Sequence, residues 1–136
     1  MNFQTNRRVE FRDTDAAGIV HFSAFFPMME AAEHEMLRSL GLSVMDRSDP
    51  ENVTWPRVSA KCDYVAAAKF EDILTISIQV AKLGNSSVQY AVKFARDDQG
   101  IATGEMTAVC CRILPQGGLE KVIIPDSIRD LLAKYK

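Results

Sequence analysis

Two stretches in the middle of the chain alternate between apolar and polar residues. Their apolar members are Leu74, Ile76, Ile78 and Val80 in the first stretch and Val88, Tyr90, Val92 and Phe94 in the second. A period of two is typical of a β-strand that buries one face. The segments that follow them, GNSS at 84–87 and DDQG at 97–100, have the composition of hairpin turns. The pattern therefore predicts consecutive antiparallel strands.

A longer apolar stripe with a helical period begins near Ser23. At about 100° per residue, one face of the helical wheel collects Phe22, Phe25, Phe26, Met29, Ala32, Met36, Leu37 and Leu40. Gly41 follows and suits the position after a helix, where a left-handed backbone is favoured. Pro27 fits only in a first turn, where the N–H groups lack partners. We therefore predict a helix that starts shortly before Pro27 and ends at Gly41.

The rest of the chain has weaker patterns. Three stretches predict further strands: 3–12, 57–70 and 101–114. In the first of them the alternation is carried by Val9 and Phe11. Residues 43–56 contain two prolines and no period, which predicts a loop. The tail predicts a short helix that begins at Pro125 or Asp126.

This order of elements predicts an α+β domain that spans residues 1–136. A single antiparallel sheet of five strands, curled around the long helix, would bury the apolar faces of both. Its edges would remain open, which favours dimerisation.

Composition narrows the class of protein. The chain has 136 residues, 47% of them hydrophobic, and a net charge of −2, so a core is expected and binding to nucleic acid or a membrane is not. Its start has no apolar signal segment. Three cysteines without CxxC spacing predict reduced thiols in the cytoplasm, with Cys110 and Cys111 on opposite faces of a strand. Because His21 and His34 are the only histidines, we expect no metal site.

Two acids, Asp13 and Asp15, stand between the first predicted strand and the helix. Unpaired N–H groups at a helix start can hold negative charge that develops on a carbonyl oxygen. A carboxylate beside them could attack the carbonyl carbon or activate water, and Gly18 would let the chain fold back between the two groups. Spacing alone favours the alternative that the acids form a turn or that one caps the helix, because such acidic turns are common.

The segment RDTDAAGIVHFSAFFPMMEAAEHEMLRSLGL resembles the opening motif of the 4-hydroxybenzoyl-CoA thioesterase family of hot dog fold proteins. The pattern is D-x-D-x-x-G-hydrophobic-V before an aromatic-rich helix, and VSAKCDYVAAAKFEDILTISI resembles the family's second and third strands. The resemblance implies a hot dog fold, a dimer or tetramer, and hydrolysis of an acyl-CoA thioester without a cofactor. It implies that Asp15 is the catalytic carboxylate, that the backbone amide of Phe22 polarises the thioester carbonyl, and that Asp13 orients the turn.

Two further side chains are candidates for the chemistry. His21, beside the expected oxyanion site, could position water, act as a base, or only contact solvent. Glu33 falls near the centre of the apolar face, where a carboxylate needs a partner or a proton. Some hot dog thioesterases use a helix glutamate, so Glu33 is the second candidate carboxylate. The alternative is a structural ion pair with Arg57 or Lys61.

Five other positions are candidate substrate contacts. Gly18 and Val20 belong to the motif, Trp55 and Tyr64 could line an acyl pocket, and Lys82 could bind the nucleotide of coenzyme A. Relatives bind that nucleotide with several basic residues near the hairpin after the third strand, whereas AKLGNSS offers only Lys82.

Several alternatives remain open at this point. A carrier-protein thioester could replace the CoA ester, because the basic residues near that hairpin are few. The chain could also bind acyl-CoA without turnover, or be a dehydratase that uses His21 with a carboxylate. Asp15 could be a nucleophile or a general base, and the acyl group could be aromatic or aliphatic.

Overall fold

A computed structural model describes residues 1–45 and 53–136. The helices are α1 (Phe25–Ser39) and α2 (Asp126–Leu132), and short 3-10 turns cover Phe11–Asp13, Phe22–Ala24 and Ala133–Tyr135. The strands are β1 (Phe3–Arg8), β2 (Val53–Thr54), β3 (Arg57–Tyr64), β4 (Ile73–Leu83), β5 (Ser87–Arg96), β6 (Gln99–Val109), β7 (Cys111–Ile113) and β8 (Leu119–Lys121).

The larger sheet has five antiparallel strands in the order β1-β4-β5-β6-β3. The apolar faces predicted for β4 and β5 are buried throughout, and α1 packs against the same side of the sheet with Met28, Met29 and Met36 fully buried. Gly104 in β6 lets this contact be close, because a Cβ there would collide with the sulfur of Met29. The predicted architecture, a five-stranded sheet wrapped around one long helix, is confirmed.

Helix α1 begins two residues before Pro27 and is followed by Gly41 in the left-handed region, at φ +75°. Both boundaries agree with the prediction. One member of the predicted apolar face was wrong: Phe22 is 64% exposed. It belongs to the 3-10 turn that precedes α1, and the tighter winding of that turn takes Phe22 off the α-helical face.

The first strand is shorter than predicted. It ends at Arg8, and Phe11 lies in a 3-10 turn where it is 77% exposed. Val9 is buried; its N–H donates to the carbonyl of Asp72 and its carbonyl accepts the N–H of Glu71, both just before β4. The apolar alternation therefore stops at Val9, where the chain leaves the sheet edge.

A second sheet, in the order β2-β7-β8, was not predicted. Its strands have two or three residues each, too short to show a period. The predicted loop 43–56 is wrong at Val53–Thr54, which pairs with β7, and its central part, 46–52, lies outside the described residues.

The paired cysteines do not share one strand as predicted: Cys110 lies between β6 and β7, Cys111 begins β7, and both are buried. The N–H of Cys110 donates to the carbonyl of Ser86, so the strand is interrupted between them. No disulfide forms among the cysteines, all of which lie within the described ranges. None of the helices in the described chain has the length and hydropathy to span a membrane.

Candidate active site

The turn between β1 and α1 is closed by backbone hydrogen bonds. The N–H of Asp15 donates to Ile19 and the N–H of Gly18 donates to Asp15, each at 2.9 Å, and Thr14 forms a β-bridge with Val20. Gly18 has φ +82°, a conformation that a residue with a Cβ adopts only with strain. The motif glycine is therefore required by the backbone of this turn rather than by a contact of its own.

Asp13 and Asp15 have different environments within this turn. Asp13 is 8% exposed, and its carboxylate accepts the N–H of Glu10 at 2.8 Å. Its backbone carbonyl accepts the N–H of His21, also at 2.8 Å. Asp13 thus fixes the path of the chain from the end of β1 to the start of α1, as the resemblance implied.

Asp15 is half-buried and lines a cavity of about 340 Å³. Its Oδ1 accepts the N–H of Ala17 at 2.8 Å, which holds the side chain in one orientation. Its Oδ2 forms no hydrogen bond with the described residues. One carboxylate oxygen is therefore anchored and the other is available to a molecule in the cavity.

The cavity lies between the turn, the start of α1 and the loop after β3. Besides Asp15 its walls are mainly apolar and aromatic: Ile19, Val20, Phe22, Phe25, Tyr64, Val65, Ala66, Ala67 and Ala68. The N–H of Val20 donates to Ala68 at 2.8 Å, which joins the turn to this loop. The sequence analysis missed residues 65–68, although a run of small residues directly after a strand was a visible signal.

The N–H of Phe22 forms no hydrogen bond with the described residues. It is the first residue of the 3-10 turn that runs into α1, where an N–H has no helical partner and the dipole is positive. Because Phe22 also lines the cavity with Asp15, an unpaired amide donor and a carboxylate belong to the same site. Together they suit a substrate with a polarisable carbonyl.

His21 has a structural contact that its sequence position did not reveal. Its Nδ1 accepts the N–H of Ser23 at 3.1 Å, and its ring stacks on that of Phe22 with centroids 4.5 Å apart. The same nitrogen lies 2.7 Å from the hydroxyl oxygen of Ser23, so both of its contacts stay within the turn. His21 therefore caps the turn, its Nδ1 is not free to act as a base, and it is not among the residues that line the cavity.

Glu33 is 1% exposed, and both of its oxygens accept hydrogen bonds from the guanidinium of Arg57, one of them at 2.7 Å. The other candidate partner of Glu33 was Lys61, but its Nζ lies 3.9 Å from Oδ2 of Asp63 instead. Burial raises the pKa of the neighbouring Tyr90, and the charge of Glu33 raises it further. Glu33 does not line the cavity. It joins α1 to β3, which is the structural alternative considered above.

Two predicted substrate contacts lie apart from Asp15. Trp55 is buried and borders a separate groove of about 320 Å³ between β2 and the β7–β8 hairpin. Lys82 is exposed near the end of β4 that is opposite to Ile73. Val20 and Tyr64, in contrast, line the cavity with Asp15. Among the described residues, no group of three potential ligands is placed to hold a metal ion.

Known proteins resemble this chain in sequence over nearly its whole length. The family model described as the thioesterase superfamily matches residues 17–103. A 1,4-dihydroxy-2-naphthoyl-CoA hydrolase of Synechococcus elongatus is 27% identical over 132 residues, which are 96% of this chain and 95% of that protein. An acyl-CoA thioesterase of Haemophilus influenzae is 22% identical over 122 residues, which are 90% of this chain and 88% of that protein.

The fold is likewise shared with solved structures. A 1,4-dihydroxy-2-naphthoyl-CoA thioesterase from Synechocystis superposes with a TM-score of 0.85 at 24% identity, and the match covers 98% of this chain and 96% of that one. The likeness in fold therefore covers nearly the whole chain.

Proposed function

This chain belongs to the thioesterase superfamily, and on that premise we propose that it hydrolyses an acyl-CoA thioester to the free acid and coenzyme A. The observation that carries the proposal is that Asp15, whose carboxylate has one oxygen without a hydrogen bond among the described residues, and Phe22, whose N–H is unpaired among them, line the same cavity. Relatives that act on 1,4-dihydroxy-2-naphthoyl-CoA make an aromatic acyl group the first one to test.

The amide of Phe22 would bind the thioester oxygen. A carbonyl oxygen gains negative charge as its carbon becomes tetrahedral, and a fixed N–H at a helix start stabilises that charge without reorganising. The N–H has no competing protein acceptor among the described residues. The hydrogen bond that His21 receives from Ser23 orients the same turn and so supports this geometry.

Asp15 would supply the second part of the reaction in one of two ways. As a nucleophile, its free oxygen adds to the carbonyl carbon, the C–S bond breaks, and the thiolate leaves and takes up a proton. Water then hydrolyses the resulting mixed anhydride and restores the carboxylate. As a general base, Asp15 removes a proton from water while the water oxygen adds to the carbon, and the same C–S bond breaks.

The acting species would be a homodimer or homotetramer in the cytoplasm. Strand β3 pairs with β6 on one side only, and as an edge strand it presents unpaired backbone groups on the other. Val58 near the start of this strand and Val65 just after its end are 62% and 69% exposed, and Val65 also lines the cavity beside Tyr64. A second copy on this edge would cover them and enclose the cavity.

The experiment is a comparison of Asp15→Asn with the wild type on a panel of aryl- and alkyl-acyl-CoAs, with thiol release measured after the protein's own cysteines are blanked. We expect the rate to fall on the order of a thousandfold or more, with an unchanged melting temperature. Asp130→Asn, an exposed acid on α2, is the control and should retain the wild-type rate.

A rate for Asp15→Asn within about threefold of wild type would show that Asp15 is not the catalytic carboxylate. If the wild type binds the CoA esters but releases no thiol from any of them, the chain is a binding module without turnover.

A further inference from the structure

A basic and aromatic surface lies beside the turn that carries Asp15 and has no role in the site described so far. It consists of Arg7, Arg8, Phe11, Arg12 and Phe70, and we refer to it as the Arg–Phe patch. A concavity lies at its centre, and six residues between Asn6 and Arg12 line it. One of them is Phe11, and the other five have polar side chains that are exposed or half-exposed. The patch combines cationic groups with a hollow in the surface.

None of the three arginines has an internal function in the described structure. Arg7, Arg8 and Arg12 form no ion pair or hydrogen bond with their side chains among the described residues. By comparison, Arg57 binds Glu33 and Arg96 binds Asp72. The concavity includes one carboxylate, that of Glu10, so its charge is positive although the chain as a whole carries −2. The patch is therefore suited to an anionic ligand.

The aromatic part of the patch indicates what kind of anion would fit. Phe11 is 77% exposed and Phe70 is 48% exposed, and their rings meet edge to face with centroids 6.0 Å apart. These exposures leave part of the aromatic surface of the pair accessible to solvent. A flat heterocycle can stack on such a surface, while guanidinium groups bind phosphate in a bidentate manner.

The position of the patch relates it to the cavity. Phe11 and Arg12 precede Asp15 by four and three residues, and Phe70 follows the loop 65–68 that forms a cavity wall. Both chain segments therefore run from the patch to the cavity. The patch borders β1, at the opposite edge of the sheet from β3, so a second copy that pairs on β3 would leave it open.

Two other cations, Lys82 and Arg96, are poorly placed for the same task. Lys82 is near the far end of β4. Arg96 is occupied by Asp72, Gln99 and the carbonyl of Ala67. Among the described residues, the arginines of the patch are the cations near the turn whose guanidinium groups are not already bound.

We propose that the Arg–Phe patch binds the adenosine 3′-phosphate 5′-diphosphate end of coenzyme A, with the base on Phe11 and Phe70 and the phosphates on Arg7, Arg8 and Arg12. The pantetheine arm then leads past the turn to the thioester at Asp15. This inference rests on the proposed function, because it assigns the nucleotide of the same substrate.

The test compares two esters of one acyl group, the CoA ester and the pantetheine ester, which lacks the nucleotide. In the triple variant Arg7→Gln, Arg8→Gln, Arg12→Gln we expect KM for the CoA ester to rise on the order of tenfold or more. We expect kcat on that ester, and kcat/KM on the pantetheine ester, to stay unchanged. Phe11→Ala, Phe70→Ala should raise the same KM at unchanged ionic strength, which a purely electrostatic effect would not explain.

The matched control removes the same charge elsewhere. Arg38→Gln, Lys121→Gln, Lys134→Gln replaces three exposed cations outside the patch and should leave both KM values as in the wild type. Equal losses on both esters, or no loss on either, would overturn the assignment. So would a loss confined to an acyl carrier protein substrate, because the patch would then bind that protein.

A direct binding measurement separates this inference from the proposed function. Adenosine 3′,5′-bisphosphate is titrated into the intact protein by calorimetry, with the arginine variant beside it. If the wild type hydrolyses neither ester, the proposed function fails, and binding of the bisphosphate that the arginine variant loses would still support the patch. Equal affinity in the two proteins would refute it.

Discussion

The hydroxyl of Tyr64 donates a hydrogen bond of 2.8 Å to the backbone carbonyl of Phe22, 42 residues earlier in the chain. The ring of Tyr64 also packs on Phe25, with centroids 5.4 Å apart. The last residue of an edge strand thus holds the turn that contains Phe22, a residue of the cavity wall. This hydrogen bond fixes the carbonyl of Phe22. Because that limits rotation about the backbone bonds of Phe22, it also limits the direction in which the N–H of the same residue points.

We therefore expect Tyr64→Phe to lower kcat about tenfold with little change in KM, and to reduce the free energy of unfolding by about 1 kcal/mol. The variant keeps the ring contact with Phe25 and loses only the hydroxyl. Steady-state kinetics and urea denaturation measure the two effects.

Tyr135→Phe is the control, because its hydroxyl lies 3.3 Å from Ser39 at the other end of α1. It should leave kcat unchanged. If Tyr64→Phe instead raises KM and preserves kcat, Tyr64 binds substrate and does not orient the turn.

Gly18 and Gly100 offer a comparison of backbone conformation. An added Cβ would meet no atom within 4 Å at either position, but only Gly18 has a positive φ, at +82°. We expect Gly18→Ala to destabilise the protein by about 1 kcal/mol or more and to lower the rate, because strain in this turn moves Asp15. Gly100→Ala should change neither quantity. Equal thermal shifts in the two variants would show that the turn tolerates a side chain.

The buried pair of Glu33 and Arg57 is expected to support stability and not catalysis. Glu33→Gln leaves the guanidinium of Arg57 without its counter-charge and should lower the free energy of unfolding by about 3 kcal/mol. Glu30→Gln, on an exposed part of α1, should change it by less than about 0.5 kcal/mol. Activity per folded molecule should persist in both. A stable, inactive Glu33→Gln protein would instead make Glu33 the catalytic carboxylate.

Asp72 provides a prediction on pH. The N–H of Lys69 at 2.8 Å and, to a smaller extent, Arg96 hold its pKa below the ordinary value of 3.8. A lowered pKa in the folded state means that the ionised form stabilises the fold above about pH 4, and that this contribution disappears as the pH falls through the folded-state pKa.

Asp72→Asn should therefore cost about 1–2 kcal/mol at pH 7, and its melting temperature should approach that of the wild type as the pH is lowered below about 4. Asp130→Asn, an exposed acid on α2, should follow the wild type at every pH. A gap that stays constant down to pH 2.5 would mean that the charge of Asp72 is not what stabilises this loop.

Much of the fold was visible in the sequence because it depends on local periodicity. The alternation from Leu74 to Phe94 and the helical stripe ahead of Gly41 each reflect one buried face, and the structure buries those faces. The errors occurred where the period was too short to detect. The strands β2, β7 and β8 have at most three residues, and the turn at Phe11 continued an apparent alternation by chance.

For the candidate site, the order of strand, acidic turn and helix placed Asp13, Asp15 and Gly18 at the start of α1, and the resemblance to a known family, rather than the spacing, selected Asp15. Only the tertiary structure decided which groups join or leave that site. It places Tyr64 on the carbonyl of Phe22, engages Glu33 with Arg57, and commits Nδ1 of His21 to Ser23. Side chains far apart in sequence meet through the pairing of strands and the packing of α1, and no local period encodes which of them will touch.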